Sequence, residues 1–420
     1  MSSVRPLFPY TVEPGNGRIA PAVRAGRWVF ATGLKGNADF AGAMAPEVVD
    51  NRAPRYGVPK HKKEARRIFA NLDKLLEAAG SARRNVVRID QYYRAARAVD
   101  PYHEGRREFF AGHIPPSTSN LHQRFLLTGQ DIEVQAMAVV AERGFEPVQH
   151  RPAHLPVHAS SGYSPVLTCG DFVFVAGQTA EALRLEEGPL DPEARMPVGH
   201  LWKGTPIKLE TEFILKRKLK PALETVGNTL DEVVKAQVYL RDVDDIPAFN
   251  EVWATYFGRN PPATSLITTS TPGFICEASR IEINTISVRK DGGTRKEIVD
   301  AEVPMPYAGQ VQAVRAGDLL FLSNLLAVDA RGAAAAEADV RLQMDHILVA
   351  AERICRRAGT TLANVVRAQQ FHTDLAHFGA AWQSWSEQLP AQPVPLSAIE
   401  VPALGVPGAA VMLDLWVYVP

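Results

Sequence analysis

The run Val23-Arg24-Ala25-Gly26-Arg27-Trp28-Val29-Phe30-Ala31-Thr32-Gly33 decides the fold, because it occurs three times. It returns as Leu167-Thr168-Cys169-Gly170-Asp171-Phe172-Val173-Phe174-Val175-Ala176-Gly177 and again as Val314-Arg315-Ala316-Gly317-Asp318-Leu319-Leu320-Phe321-Leu322-Ser323-Asn324. Each copy is a glycine turn followed by a β-rich apolar run, the pattern of a strand entering a buried sheet. Long-period self-similarity of this kind marks tandem modules.

Working outward, each copy continues into a helical stretch that ends at a glycine. Phe69, Leu72, Leu75, Leu76 and Ala79 precede Gly80; Leu219, Leu223 and Val226 precede Gly227; Ile347, Leu348, Ala351 and Ile354 precede Gly359. Spacings of three and four place these residues on one apolar stripe, and the glycine suits a left-handed C-terminal cap. Pro221 is expected to kink the second helix or to mark its true start, since proline lacks the N–H a helix interior needs. Next comes a strand beginning Asn85-Val86-Val87-Arg88, Glu232-Val233-Val234-Lys235 or Asn364-Val365-Val366-Arg367, then a polar turn and an aromatic-rich helix. From the glycine to the following landmark strand, at Thr118, Thr264 and Leu396, the distances are 38, 37 and 37 residues. Unrelated domains would not keep that register.

The module reads as strand, hairpin, helix, strand, helix, strand: an α/β (α+β) unit with one mixed sheet and two helices. Gly144 to Pro156 is rich in Pro and His, and Lys290 to Pro306 is charged with an early Gly-Gly, so both are expected to be linkers. The expected modules are 1–147, 148–292 and 293–420. Helices on one face of a sheet leave the other face to be covered, which three modules achieve by packing around a pseudo-threefold axis.

With 46% hydrophobic and 22% charged residues in 420, the chain has a globular composition and room for several domains. Lys+Arg and Asp+Glu both number 46, so no net charge draws the chain to phosphate backbones or anionic membranes, and neither partner is expected. Met1 to Gly17 shows no basic segment followed by an apolar one, and no run of about eighteen apolar residues occurs, so a cytoplasmic location is expected. Cys169, Cys276 and Cys355 lack CxxC spacing and a nearby Cys/His cluster; buried thiols are expected rather than a disulfide or zinc ligands. His150, His154 and His158 recur every four residues, but Pro152 and Pro156 break any helix that would align them, so no metal site is expected. No P-loop, dinucleotide-binding glycine pattern, nucleophile elbow or HExxH occurs, and no cofactor is expected.

Four further segments carry a resemblance. Gln312-Ala313-Val314-Arg315-Ala316-Gly317-Asp318-Leu319-Leu320-Phe321-Leu322-Ser323, Asp242-Val243-Asp244-Asp245-Ile246-Pro247-Ala248-Phe249-Asn250, Pro262-Ala263-Thr264-Ser265 and Ile281-Glu282-Ile283-Asn284 resemble the opening strand, the post-strand turn and the two C-terminal strand motifs of the YjgF/YER057c/UK114 (Rid) family. The resemblance spans nearly the whole chain, three times. It implies chorismate-mutase-like modules; members are typically single modules that form homotrimers with ligand sites between subunits, so this chain is expected to be an intramolecular version, a pseudo-trimeric monomer open to further association. Imine-hydrolysing members carry an arginine in a Pro-Ala-Arg-Ser strand that holds the substrate carboxylate, and a glutamate near the end of an Ile-Glu-Ile-Glu strand that positions water. Here Thr118, Thr264 and Leu396 stand at the arginine position, and Gln135, Asn284 and Asp414 at the glutamate position. A tyrosine preceding the opening strand in the family matches Tyr163, against Ile19 and Gln310 in the other copies, so the three clefts are expected to be chemically unequal.

Strand alternation then groups the candidates. Thr118, Asn120, His122 and Arg124 share one face in the first copy, where Asn120 and Arg124 can bind an oxyanion and His122 can carry a proton near neutral pH; a solvated edge strand is the alternative. In the second copy Tyr163, Thr264, Arg280, Glu282 and Asn284 come closest to the family's pocket, with Glu282 and Asn284 able to orient water or else to satisfy polar partners between modules. In the third, Asp414 beside Trp416, with Ser397 and Glu400 near, is expected to have a raised pKa and to act as acid or base, unless it is paired structurally. Lys35, after the first opening strand, can anchor an anion or lie on the surface.

These features point to a cofactor-independent hydrolase or deaminase of a small polar metabolite, an enamine, imine or ring amide, at an inter-module cleft, with Glu282, Asp414 and His122 as catalytic candidates. Two alternatives stand beside it: a chorismatase-like lyase or hydrolase acting on a carboxylated ring, and a non-catalytic metabolite-binding protein. A ribonuclease activity sometimes attached to this family is not expected of a chain without a basic stripe.

Overall fold

A computed structural model describes residues 4–13, 16–50, 57–158, 160–197, 199, 205–389 and 392–420. Three mixed sheets share one strand order. In the first, Val4–Leu7, Ala22–Ala25, Trp28–Leu34, Ile132–Val139, Val86–Tyr93 and Ser117–Leu121 lie side by side. The second runs Val148–His150, Val166–Cys169, Phe172–Thr179, Ile281–Val288, Val233–Leu240, Ala263–Thr268. The third runs Lys296–Val299, Ala313–Ala316, Leu319–Leu322, Val411–Tyr418, Val365–His372, Leu396–Glu400, and takes Arg124–Phe125 from the first module onto its far edge. The stretches expected to be linkers therefore also supply the outer strands Val148–His150 and Lys296–Val299, each hydrogen-bonded to the following hairpin.

Within each sheet only the central strand and the edge strand run parallel. A parallel pair needs a crossover, and the short helices Val99–Phe110, Ile246–Phe257 and Phe378–Gln388 provide it. The long helices, Lys60–Ala79 and Val340–Arg357 in the outer modules, bury the apolar stripes expected of them. Gly80, Gly227 and Gly359 follow these helices with φ of 76°, 75° and 80°, a left-handed conformation in which a Cβ would be strained.

Pro221 neither begins nor breaks the second long helix. It starts at Pro206–Phe213, passes through a π-helical turn at Ile214–Leu219 and continues in Lys220–Glu224. The wider π turn accommodates the proline ring and the hydrogen bond its nitrogen cannot make.

Each module has its own core between sheet and helices. The opposite sheet faces meet in a common core with Trp28, Phe30 and Val87 from the first module, Phe172, Phe174 and Val234 from the second, and Phe321, Val366 and Trp416 from the third. Every sheet is thus covered on both faces, which is why the landmark strands are near-continuous apolar runs.

A polar belt crosses this shared core. Arg88, Lys235 and Arg367 occupy the same place on the three central strands, and each reaches the next module in turn. Arg88 donates to Gln237 at 2.5 Å and Asn284 at 2.8 Å, Lys235 to Asp414 at 2.7 Å, and Arg367 to Gln135 at 2.6 Å and Asp414 at 2.7 Å. Lys235 and Asp414 are fully buried. No described helix is long and apolar enough to cross a membrane.

Candidate functional site

The parallel registers correct one sequence position. Ile89 pairs with Ser117, Ala236 with Thr264 and Ala368 with Leu396, so Ser117 and not Thr118 is the counterpart of Thr264 and Leu396. It lies 37 residues after Gly80, matching the other two intervals. A one-residue slip exchanges strand faces. Ser117 and Ser119 face the cleft between the first and second modules, whereas the Thr118 hydroxyl accepts from the Asn284 amide at 2.9 Å in the polar belt.

That cleft holds a cavity of about 340 Å³. One wall comes from the first module, with Ser117 and Ser119 on the edge strand and His103 on the short helix; the second module supplies Ser161, Tyr163, Thr179 and Glu282. Glu282 is 5% exposed and accepts from the backbone N–H of Ser119. Burial pushes its carboxyl up to about 8, and that hydrogen bond is too weak to hold it down. Gly177 packs so tightly beneath it that a Cβ there would collide with Glu282 Oε1. Burial, with Arg106 and Arg107 nearby, pushes His103 down to about 2, so it is a neutral imidazole. The Tyr163 phenol is raised by burial and stays protonated.

Behind Ser117 and Ser161 lies Arg106, fully buried. Its Nη1 donates to Ser117 Oγ at 3.1 Å and its Nη2 to Ser161 Oγ at 2.9 Å and Ser161 O at 2.7 Å. Among the described residues no carboxylate lies within 4.0 Å of it, and its Nε has no partner. A buried guanidinium without a counter-ion is costly unless an anion arrives. Each serine oxygen accepts from the guanidinium, which leaves its own O–H free to turn into the cavity. Two polarised hydroxyl donors backed by a positive charge form an anion seat.

Arg106 is the eighth residue of its helix; the eighth residues of the other two short helices are Trp253 and Trp385. An arginine amid aromatic counterparts was a usable sequence signal, and so was the 37-residue interval that marks Ser117. Sequence reasoning missed both because it sought an arginine on the strand.

The other clefts differ. Between the second and third modules, Trp253, Phe257, Tyr307, Thr264 and Gln310 line a cavity of about 190 Å³ in which, among the described residues, no carboxylate or histidine takes part. Between the third and first, the N-terminal segment is pinned shut: Ile19 bridges to Val394, Trp382 donates to the Val12 carbonyl at 3.1 Å, and Ile19 joins the third module's core. Glu133, the counterpart of Glu282, accepts there from Ser397 Oγ and feels Lys35.

Several candidates are corrected by their surroundings. Burial disfavours ionised Asp414, yet Lys235 and Arg367 outweigh it and hold the carboxyl well below the usual range, so the expected upward shift does not occur. Gln135, Asn284 and Thr118 belong with Asp414 to the polar belt. His122 is fully buried among Tyr92 and Phe371; burial pushes it down to about 3, so it cannot carry protons at neutral pH, and neither Asn120 nor His122 lies on a solvated edge. Arg124, 54% exposed, sits on the third module's sheet, and Arg280 is held by Asp245 at 2.8 Å, so neither enters a cavity. His150 bonds Thr168 and His158 bonds Glu181, separating the spaced histidines. Cys169 and Cys355 are buried, while Cys276 lines the large cavity.

The sequence profile of the family described as Endoribonuclease L-PSP matches residues 154–288 and 301–419, more than half of the chain. A RutC family protein of Pyrococcus abyssi is 40% identical over 101 residues, 24% of this chain and 68% of the relative. A 2-iminobutanoate/2-iminopropanoate deaminase of Dermatophagoides farinae is 26% identical over 129 residues, 30% of this chain and 84% of that protein. The crystal structure of yeast Mmf1 aligns with 34% of this chain and 99% of its own, at 24% identity and a TM-score of 0.28.

Proposed function

The chain belongs to the Endoribonuclease L-PSP family, the YjgF/UK114 group of repeated Rid modules, and from that premise we propose that it hydrolyses the C–N bond of a small 2-imino or 2-enamino acid between its first two modules. The modules are those bounded at 1–147, 148–292 and 293–420, acting as an intramolecular trimer in which one cleft carries the chemistry. The observation that carries the reading is the pairing, in one cavity, of a buried anion seat and a buried carboxyl: Ser117 and Ser161 backed by Arg106, facing Glu282. The relative named as a 2-iminobutanoate/2-iminopropanoate deaminase supports the same chemistry.

The substrate carboxylate accepts hydrogen bonds from the two serine hydroxyls, with the guanidinium's field behind them. With its carboxyl pushed up to about 8, Glu282 is mostly protonated at neutral pH and acts as the general acid. Glu282 gives its proton to the imine nitrogen as water adds to the carbon, and takes a proton back from the added water; the C–N bond of the resulting carbinolamine then breaks as its hydroxyl proton passes to the nitrogen, releasing ammonia and leaving a 2-oxo acid. Burial of Glu282 is what places the acid's pKa near neutrality.

The test is ammonia release from a freshly generated 2-imino acid, comparing the wild type with Glu282→Gln and Arg106→Leu. Loss of at least about a hundredfold in both supports the reading. Wild-type rates no faster than buffer would sink it and leave a metabolite-binding role for the cleft.

A further inference from the structure

Glu64, Glu210 and Gln343 mark one point on the three long helices. Each accepts a backbone N–H at the start of its closing strand, from Ile132, Arg280 and Ala410 respectively. From there to the capping glycine the interval is 16 residues in the first and third modules and 17 in the second, as Glu64 to Gly80, Gln343 to Gly359 and Glu210 to Gly227 show. The extra residue is absorbed by the π turn Ile214–Leu219. One inserted residue rotates the side chains that follow by about 100°, and π turns recur at functional sites for that reason.

The residue so placed is Lys218, 7% exposed. Its ammonium lies 5.7 Å from the centre of the Phe213 ring, and among the described residues no hydrogen bond or ion pair reaches it. It lines a second cavity of about 190 Å³, a lobe that adjoins the larger one with His158 and Glu181 lining both. Nearby acidic groups are already engaged. Glu181 pairs with His158 at 2.7 Å, Asp191 accepts the N–H groups of Leu183 and Glu193, and the Cys276 thiol donates to the Pro189 carbonyl. Burial pushes the amine down to about 8, outweighing the opposite pull of Glu181, Cys276 and Asp191.

We propose that Lys218 receives a second anionic group of the ligand, so that the cleft takes a dianion, a 2-imino dicarboxylate held by Ser117 and Ser161 at one end and by Lys218 at the other. This rests on the carboxylate-binding reading of the larger lobe. The stable carbonyl counterparts provide the probe: calorimetric titration of the full chain with 2-oxoglutarate and with 2-oxobutanoate, for wild type, Lys218→Met, Lys218→Gln and Lys218→Arg. The wild type is expected to bind the dicarboxylate at least about tenfold more tightly; Met and Gln remove that factor and leave the monocarboxylate unchanged, and Arg restores part of it. Equal wild-type affinities, equal weakening of both ligands in the Met and Gln variants, or no binding of either ligand would overturn the proposal. A Lys218-dependent preference without any imine hydrolysis would keep the dianion site and remove the hydrolytic function.

Discussion

Replacing Glu282 by Gln separates an acid kept neutral by burial from an ordinary structural carboxylate. In the folded chain this carboxyl is pushed up to about 8 from an ordinary 4.5. Below pH 4.5 both folded and unfolded chains hold the proton, and the group costs nothing. As pH rises from there the unfolded chain loses its proton while the folded chain keeps it, so stability falls until the folded group also ionises near 8. At about 1.4 kcal/mol per pH unit over this span, the loss reaches about 5 kcal/mol. Glutamine imitates the protonated acid and has no such loss, so Glu282→Gln should gain on the wild type steadily between about pH 5 and pH 8. Glu64 and Glu210, both raised by burial to about 7, tilt wild type and variant alike and cancel in the difference. Urea unfolding followed by tryptophan fluorescence at several pH values measures it. A difference that stays flat with pH refutes the claim that Glu282 is neutral in the folded state, and with it the general-acid role.

Other perturbations address the rest of the site. Arg106→Trp installs the residue that the second and third modules carry at the same helix position, so it should fold and yet bind 2-oxo acids at least about a hundredfold more weakly in calorimetry. Gly177→Ala places a methyl where Glu282 Oε1 now sits; because a side-chain terminus can move aside, the melting temperature should change little while ammonia release falls sharply. Asp414→Asn leaves Lys235 and Arg367 buried without their shared counter-ion and should cost about 3–5 kcal/mol in urea unfolding. Lys235→Met leaves Asp414 paired with Arg367 and should cost less than Asp414→Asn.

Much of the architecture was legible because it repeats. The threefold Gly turn, the capping glycines and the near-constant interval to the edge strand encode the module and its order of elements, and the strand and turn motifs its family, without any contact being known. Tyr163 and Glu282 were legible from strand motifs and do meet in one cavity. What escaped is what depends on space rather than on order along the chain. Ser117 escaped, with Thr118 standing in its place, because a local pattern does not fix a strand's register to one residue, and a slip of one moves the side chain from cleft to belt. Asp414 beside Trp416 suggested an apolar pocket, but its partner Lys235 is 179 residues away in sequence and invisible to any local pattern.

Fusion into one chain explains how the site could form by these means. In a homotrimer an arginine at the eighth position of the short helix would enter all three clefts, burying three guanidinium groups and removing a core tryptophan from each module. Here Trp253 and Trp385 still pack in their modules while Arg106 alone gives up apolar contact for charge. The same division holds at two further positions. Tyr163, Gln310 and Ile19 occupy one place in the three clefts, as do Ser117, Thr264 and Leu396, and the apolar member of each set belongs to the cleft that the N-terminal segment closes. Stability lost where Arg106 and Glu282 are buried is thus offset where Ile19, Trp382 and Leu396 pack, as expected when strained functional groups persist only inside an otherwise over-determined fold.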